Sequence, residues 1–189
     1  MRVADPTNID AAARGHRRLI VVGSDADLAA VLTRLLRAER LDVEVGFVSR
    51  RRSSATRAYR IPAGRRAARR ARRGSAQRVP LIRDETGSAI VGAADWRPTA
   101  DAQLLHGEAV VDDVVLFDGD VAGARVEPTV ALPGLRARVS GSRSRRWLTG
   151  RAAQLGSTGV TVVRDGVAAP RTARRSTIYR NVEGWLLVS

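Results

Sequence analysis

Cysteine is absent from this chain, which removes disulfides, thiolate metal sites and cysteine nucleophiles. Histidine is nearly absent: His16 and His106 stand ninety residues apart, and no HExxH pair exists. A zincin-type metalloprotease is therefore hard to build, and no metal site is expected. Aromatic residues make up only 4% of the chain, too few for a base-stacking platform. No apolar run approaches the roughly 20 residues that cross a bilayer. The opening MRVADPTNIDAAARGH lacks the apolar core of a secretory signal. The expected compartment is the cytoplasm, with peripheral contact to a membrane left open.

Lysine is missing as well, so all 33 basic residues are arginine, against 19 acidic ones. Arginine in place of lysine, with abundant Ala, Gly and Val, fits a GC-rich coding bias. That bias does not account for the shortage of acidic residues. The net charge of +14 favours anionic partners: nucleic acid, acidic lipid head groups or nucleotide phosphates. With 189 residues and 44% hydrophobic content, the chain has enough for one buried core or two small packed lobes.

Residues 1–16 read as a polar tail or short helix. Leu19 to Val22 form a β-branched run suited to a buried strand, followed by a Gly-Ser-Asp turn. Leu28, Val31, Leu32, Leu35 and Leu36 then give the stripe of an amphipathic helix, with Ser24 or Asp25 as its cap and Asp27 in its first turn. LDVEVGFV alternates as a second strand, and strand–helix–strand implies a parallel βαβ unit. Ser49 to Arg60 reads as a basic loop. Beyond Val79 come short β-rich runs broken by Gly, Asp and Pro, which predict an antiparallel sheet. The expected fold is thus α/β plus β: an α/β lobe over 17–102 with parallel strands, then a β-rich antiparallel lobe over 103–189. GAADWRPTADAQ, around Trp96 and Pro98, is the linker candidate between them. VVLFDGDVAGAR and VTVVRDGVAAPR echo one another, and both read as hairpins with Asp-Gly turns.

IPAGRRAARRARRG (Ile61 to Gly74) carries the densest charge. On a helical wheel Arg65, Arg66, Arg69, Arg70, Arg72 and Arg73 fall within about 160° of arc, with Ala67, Ala68 and Ala71 behind them. This predicts a helix with one basic face and a small-residue back suited to close packing on a sheet. Arginines in a first helical turn oppose the macrodipole, and a phosphate bound at that terminus would relieve the conflict. A solvated helix of the same composition is the plainer alternative. Arg50, Arg51, Arg52, Arg57 and Arg60 extend the patch. Ser176, after two arginines, is a candidate site for an arginine-directed kinase, although a plain strand suits it as well.

Three segments, in order, resemble the bacterial lipid kinases of the diacylglycerol kinase catalytic-domain family. VVGSDADLAAVLTRLL resembles that family's strand, GGDGT turn and helix, with Gly23 and Asp25 matching and Ser24, Ala26 and Asp27 departing. IPAG, 37 residues after Asp25 when counted to Pro62, resembles the PxGTGNDFAR segment: Pro62 and Gly64 match, and Arg65 to Ala68 replace Thr-Gly-Asn-Asp. LFDGDVAGARVEPTVALPGLRARV resembles the DGE segment, with Asp118 and Gly119 matching and Asp120 in place of the glutamate. The resemblance spans roughly residues 18 to 139; the final fifty residues do not map onto it, and the family's first strand and helix are missing.

The resemblance implies a nucleotide lobe and a β-rich lobe with the site in the cleft between them. It implies ligand contacts at Gly23, Asp25, Gly64, Arg65, Arg66, Arg69, Arg70 and Arg73, and a carboxylate base at Asp118 or Asp120. The departures bear on chemistry, because Ser24 and Ala26 add Cβ atoms where the family's glycines let amides reach phosphate. The expectation is a non-phosphorylating relative that needs no cofactor and binds an anionic small molecule or acidic membrane surface. Sequence-independent nucleic-acid binding is one alternative. An active lipid kinase using Mg-ATP at an altered site is the other.

Overall fold

The computed structural model describes residues 6–141 and 146–189, so the first five residues of the expected tail lie outside the described residues. The rest of that tail is a helix, α1 (Pro6–Gly15). Ile9 and Ala13 bury one side of it against the first core, and Asp10 pairs with Arg34 of the following helix. The β-branched run is β1 (Arg18–Val22), the amphipathic stripe is α2 (Asp25–Arg37), and the alternating segment is β2 (Glu44–Val48). β1 and β2 pair in parallel from Arg18↔Glu44 to Val22↔Val48, which completes the βαβ crossover. β1 is the edge of its sheet, however, and Ile20 and Val22 are exposed rather than buried.

Two helices follow. The expected loop contains α3 (Ser54–Ala58), nucleated by a capping box in which Ser53 and Thr56 satisfy each other's backbone amides. The arginine stretch is α4 (Gly64–Arg73). The chain then runs through β3 (Ala76–Val79), β4 (Ile82–Asp84), β5 (Ala89–Ile90), β6 (Ala94–Arg97), β7 (Leu105–Val111), β8 (Val114–Val121) and β9 (Ala124–Pro128). It continues through β10 (Leu135–Val139), β11 (Leu148–Gly150), β12 (Ala152–Arg164), β13 (Val167–Ala168), β14 (Ala173–Arg180) and β15 (Trp185–Val188).

These strands form two sheets, in agreement with the expected α/β plus β class. The first has the order β1-β2-β15-β3, with β15 parallel to β2 and antiparallel to β3. The second has eleven strands built on the 13-residue β12, which pairs antiparallel with β6, β7, β13 and β14. Strands cross the expected boundary at residue 102 in both directions: β4, β5 and β6 join the second sheet, and β15 returns to the first. The expected linker around Trp96 is therefore part of this sheet. Trp96 is 1% exposed on β6, and its indole N–H donates to Ser176 Oγ at 3.0 Å. Ser176 is equally buried, so the plain-strand reading of its basic context holds.

Each sheet has its own apolar core. In the first, Leu28, Val31, Leu32 and Leu35 of α2 pack on Val45 and Phe47, and Trp185 meets the Tyr59 ring edge-on at 5.2 Å. The second gathers Trp96, Leu105, Leu135, Leu155 and Ile178.

Candidate functional site

α4 lies over β2, with Ala67 and Ala71 buried beneath it and the arginines outward. Ala63 takes the N-cap position without a side-chain cap, and Gly64, at φ 65°, donates its amide to the Ser49 carbonyl. The C-terminal end is better served: Arg18 Nη1 donates to the Arg72 carbonyl at 3.2 Å, as a cation should at a helix C-terminus. Among the described residues, none of the six α4 arginines pairs with a carboxylate. Several acids pair with other arginines instead, among them Glu44 with Arg17 and Arg18, Asp10 with Arg34, Glu183 with Arg78, Asp95 and Glu127 with Arg125, Glu127 with Arg136, and Asp84 with Arg164.

An open groove of about 750 Å³ runs beside the helix. Arg66, Arg69, Arg70 and Arg73 of α4 line it, and Arg52 and Arg60 reach it from the segments either side of α3. Of the expected contacts, Gly64 opens the helix that carries this wall, and Arg65 lies on α4 without lining the groove.

The Gly-Ser-Asp turn sits at the other side of the β2–α3 loop. Ser24 caps α2, and Asp27 folds back to accept from both the amide and the hydroxyl of Ser24, at 2.8 and 2.7 Å. A methyl group on Gly23 would overlap Asp27 Oδ2. The Ser24 amide at this helix start therefore already serves a carboxylate of the chain itself, and the Asp27 amide serves the Ser24 hydroxyl.

Asp25 points the other way, into the junction between the two sheets. Its Oδ2 accepts from the Ala55 amide of α3 at 3.0 Å, and its Oδ1 is buried without a hydrogen-bond partner among the described residues. The carboxyl facing it belongs to Asp165, in the turn between β12 and β13. A methyl group on Gly92 would stand 2.8 Å from Asp25 Oδ2, 2.9 Å from Asp165 Oδ1 and 2.9 Å from Ser54 Cβ, so only glycine fits between the pair. Asp165 accepts from the amides of Val91, Gly92 and Ala93 at 3.0, 2.6 and 3.1 Å. Burial, with the Asp25 charge adding to it, pushes Asp165 up to about 7 against those three donors. A carboxyl held near neutrality can take or give a proton at ordinary pH.

The same junction is tied by Arg125, which donates to Ser54 Oγ at 3.2 Å while pairing with Asp95 and Glu127. Burial raises the Glu127 carboxyl, but Arg125 and Arg136 outweigh it and hold the group low.

Asp118 and Asp120 are placed differently from expectation. They lie within β8, on exposed positions, and form no turn; the hairpin turn is Asp112–Asp113, where Asp112 takes φ 51°. Asp120 accepts from His106 Nδ1 at 2.8 Å on that surface. The second half of the internal echo behaves as expected, since Asp165 and Gly166 do form a hairpin turn. Asp165 was the residue that sequence reasoning missed, and the echo was the signal that pointed to it.

No protein-family model matches the sequence, and no curated protein matches it. Solved structures do. A diacylglycerol kinase from Bacillus anthracis superposes with a TM-score of 0.73 at 10% identity, covering 100% of this chain and 82% of its own. An NAD kinase from Archaeoglobus fulgidus, solved in complex with ATP, gives 0.64 at 12% identity over 92% of this chain and 78% of its own. Yeast NADH kinase complexed with NADH gives 0.61 at 12% identity over 92% of this chain and 62% of its own. The chain has the fold shared by diacylglycerol kinases and NAD kinases.

Proposed function

We propose that this protein is a non-catalytic member of the kinase-like fold that binds a phosphorylated anion in the groove along α4. The observation that carries the reading is the arginine wall of Arg66, Arg69, Arg70 and Arg73, which faces an open groove and has no carboxylate partner among the described residues. Guanidinium groups left without internal anions are ready-made phosphate donors, with fork geometry suited to two oxygens at once. The start of α4 has no side-chain cap, and its dipole favours an anion at that end of the groove.

The non-catalytic part of the reading rests on the Gly23–Asp27 turn. A nucleotide phosphate approaching Ser24 would meet the Asp27 carboxylate already bonded there. Like charge opposes it, and so does the engagement of the Ser24 amide and hydroxyl by Asp27.

A thermal-shift titration of the full chain with pyrophosphate, glycerol phosphate and ATP tests the assignment, because a ligand of the native state raises the melting temperature. The expected result is a rise that is lost in Arg66→Gln/Arg69→Gln/Arg70→Gln. An equal rise in that variant would place the anion elsewhere. Phosphorylation of diacylglycerol by the protein with Mg-ATP, abolished by Asp25→Asn, would overturn the non-catalytic reading.

A further inference from the structure

We infer that the α4 groove seats the phosphodiester backbone of a nucleic-acid duplex, held without base readout. This rests on the reading of the groove as an anion site and narrows its occupant from any phosphate to a chain of them.

The arginines form a row. Arg66, Arg69/Arg70 and Arg73 recur about once per helical turn, roughly every 5.4 Å, while Arg52 and Arg60 from the preceding segment also line the groove. A single phosphate engages two or three guanidinium groups and leaves the rest of the row unused. A backbone ridge engages them in succession along the groove. A duplex offers about one charge per 1.7 Å of its axis, repeated along its whole length. Among the described residues no aromatic lines the groove, so unpaired bases find no stacking surface in that lining. A duplex needs none, since its bases are stacked within it and its phosphates alone fix position.

A membrane fits this groove less well. The surface is concave, and its apolar members are the buried Ile61 and the recessed Pro62. The exposed apolar residues on this face of the sheet, Ile20 and Val22, are on β1, whereas the groove opens on the side of β15 and Ser189. Because β2 lies between β1 and β15 under α4, an apolar anchor and the arginine row face opposite flanks of the helix.

The test is fluorescence anisotropy of the full chain with labelled 20-bp duplexes of two unrelated sequences, from 50 to 200 mM NaCl. Four to six phosphate contacts predict a slope of log Kobs against log salt of about −4 to −5, the same for both sequences. Arg66→Gln/Arg69→Gln/Arg70→Gln should flatten that slope by about 2.7, with its melting temperature and circular dichroism unchanged. Arg174→Gln/Arg175→Gln, on exposed positions of β14, should leave the slope as it is. Equal losses in the two variants would mean diffuse charge and overturn the assignment. If pyrophosphate raises the melting temperature while no duplex binds, the anion site stands and this inference falls. If neither binds, both fall. Binding of phosphatidylglycerol vesicles that depends on Arg66, Arg69 and Arg70, without duplex binding, would also overturn it, in favour of a membrane.

Discussion

Ala71 of α4 rests on Gly46 of β2 so closely that a methyl group on Gly46 would come within 2.7 Å of the Ala71 Cβ. That contact is where the charge of the helix is reconciled with the packing of the sheet. A helix with six arginines has only its alanine stripe to bury, and a small-residue back can approach a strand only where the strand also lacks a side chain. The groove wall inherits its position from this seat.

Gly46→Ala therefore has an expected sign opposite to that of strand propensity. Alanine in a strand interior ordinarily improves on glycine. Here it must lift α4 from β2, at a cost of about 1–3 kcal/mol. Urea unfolding measures the loss, and pyrophosphate affinity should fall with it because the arginine wall moves.

Asp27→Ala separates the two anion-related regions of the chain. It removes the reciprocal half of the α2 capping box and one acidic group from the first turn. The expected destabilisation is about 1 kcal/mol. Anion binding at α4 should be unchanged, since Asp27 lines no part of that groove. A fall in pyrophosphate affinity without a fall in stability would tie the two regions together.

Ser176 offers a check on burial against motif. Its hydroxyl accepts from the Trp96 indole inside the second core, so Ser176→Ala leaves a buried donor unpaired at about 1–3 kcal/mol. An arginine-directed kinase should modify the urea-unfolded chain at this serine and leave the native protein untouched, as peptide mapping would show.

What was legible in the sequence was what has a period. The i, i+3, i+4 stripe from Leu28 to Leu36 specified α2, and the alanine back of Ile61–Gly74 specified a one-sided helix on a sheet, because both patterns are written along a single element. α3 was not legible, because its five residues carry no apolar stripe and depend on the Ser53–Thr56 capping box. The pairing of strands across residue 102 has a topological cause: β15 reads as one more short β-rich run, and only pairing shows that it belongs beside β2. The carboxyl pair was missed for a similar reason. Asp118-Gly119 and Asp165-Gly166 are alike in composition, and which of them reaches Asp25 is decided by the loop at Gly92, far from all of them in sequence.

Asp165 carries the last expectation, a pH dependence of stability. Its carboxyl is raised from an ordinary value of 3.8 to about 7 in the folded chain, chiefly by burial. Between those values the native state holds a proton that the unfolded chain has released. The slope of unfolding free energy against pH is then negative, at most about 1.4 kcal/mol per pH unit for one group. The stabilising contribution is complete below about pH 4 and is lost as pH rises through 7. Asp165→Asn removes the titration, although its amide cannot satisfy all three backbone donors and costs some stability at every pH. The informative quantity is the gap between wild type and variant, from urea unfolding at pH 5, 6, 7 and 8. It should shrink as pH rises, because the wild type alone loses stability over that range. A gap that stays constant would mean that the Val91, Gly92 and Ala93 amides keep Asp165 ionised throughout.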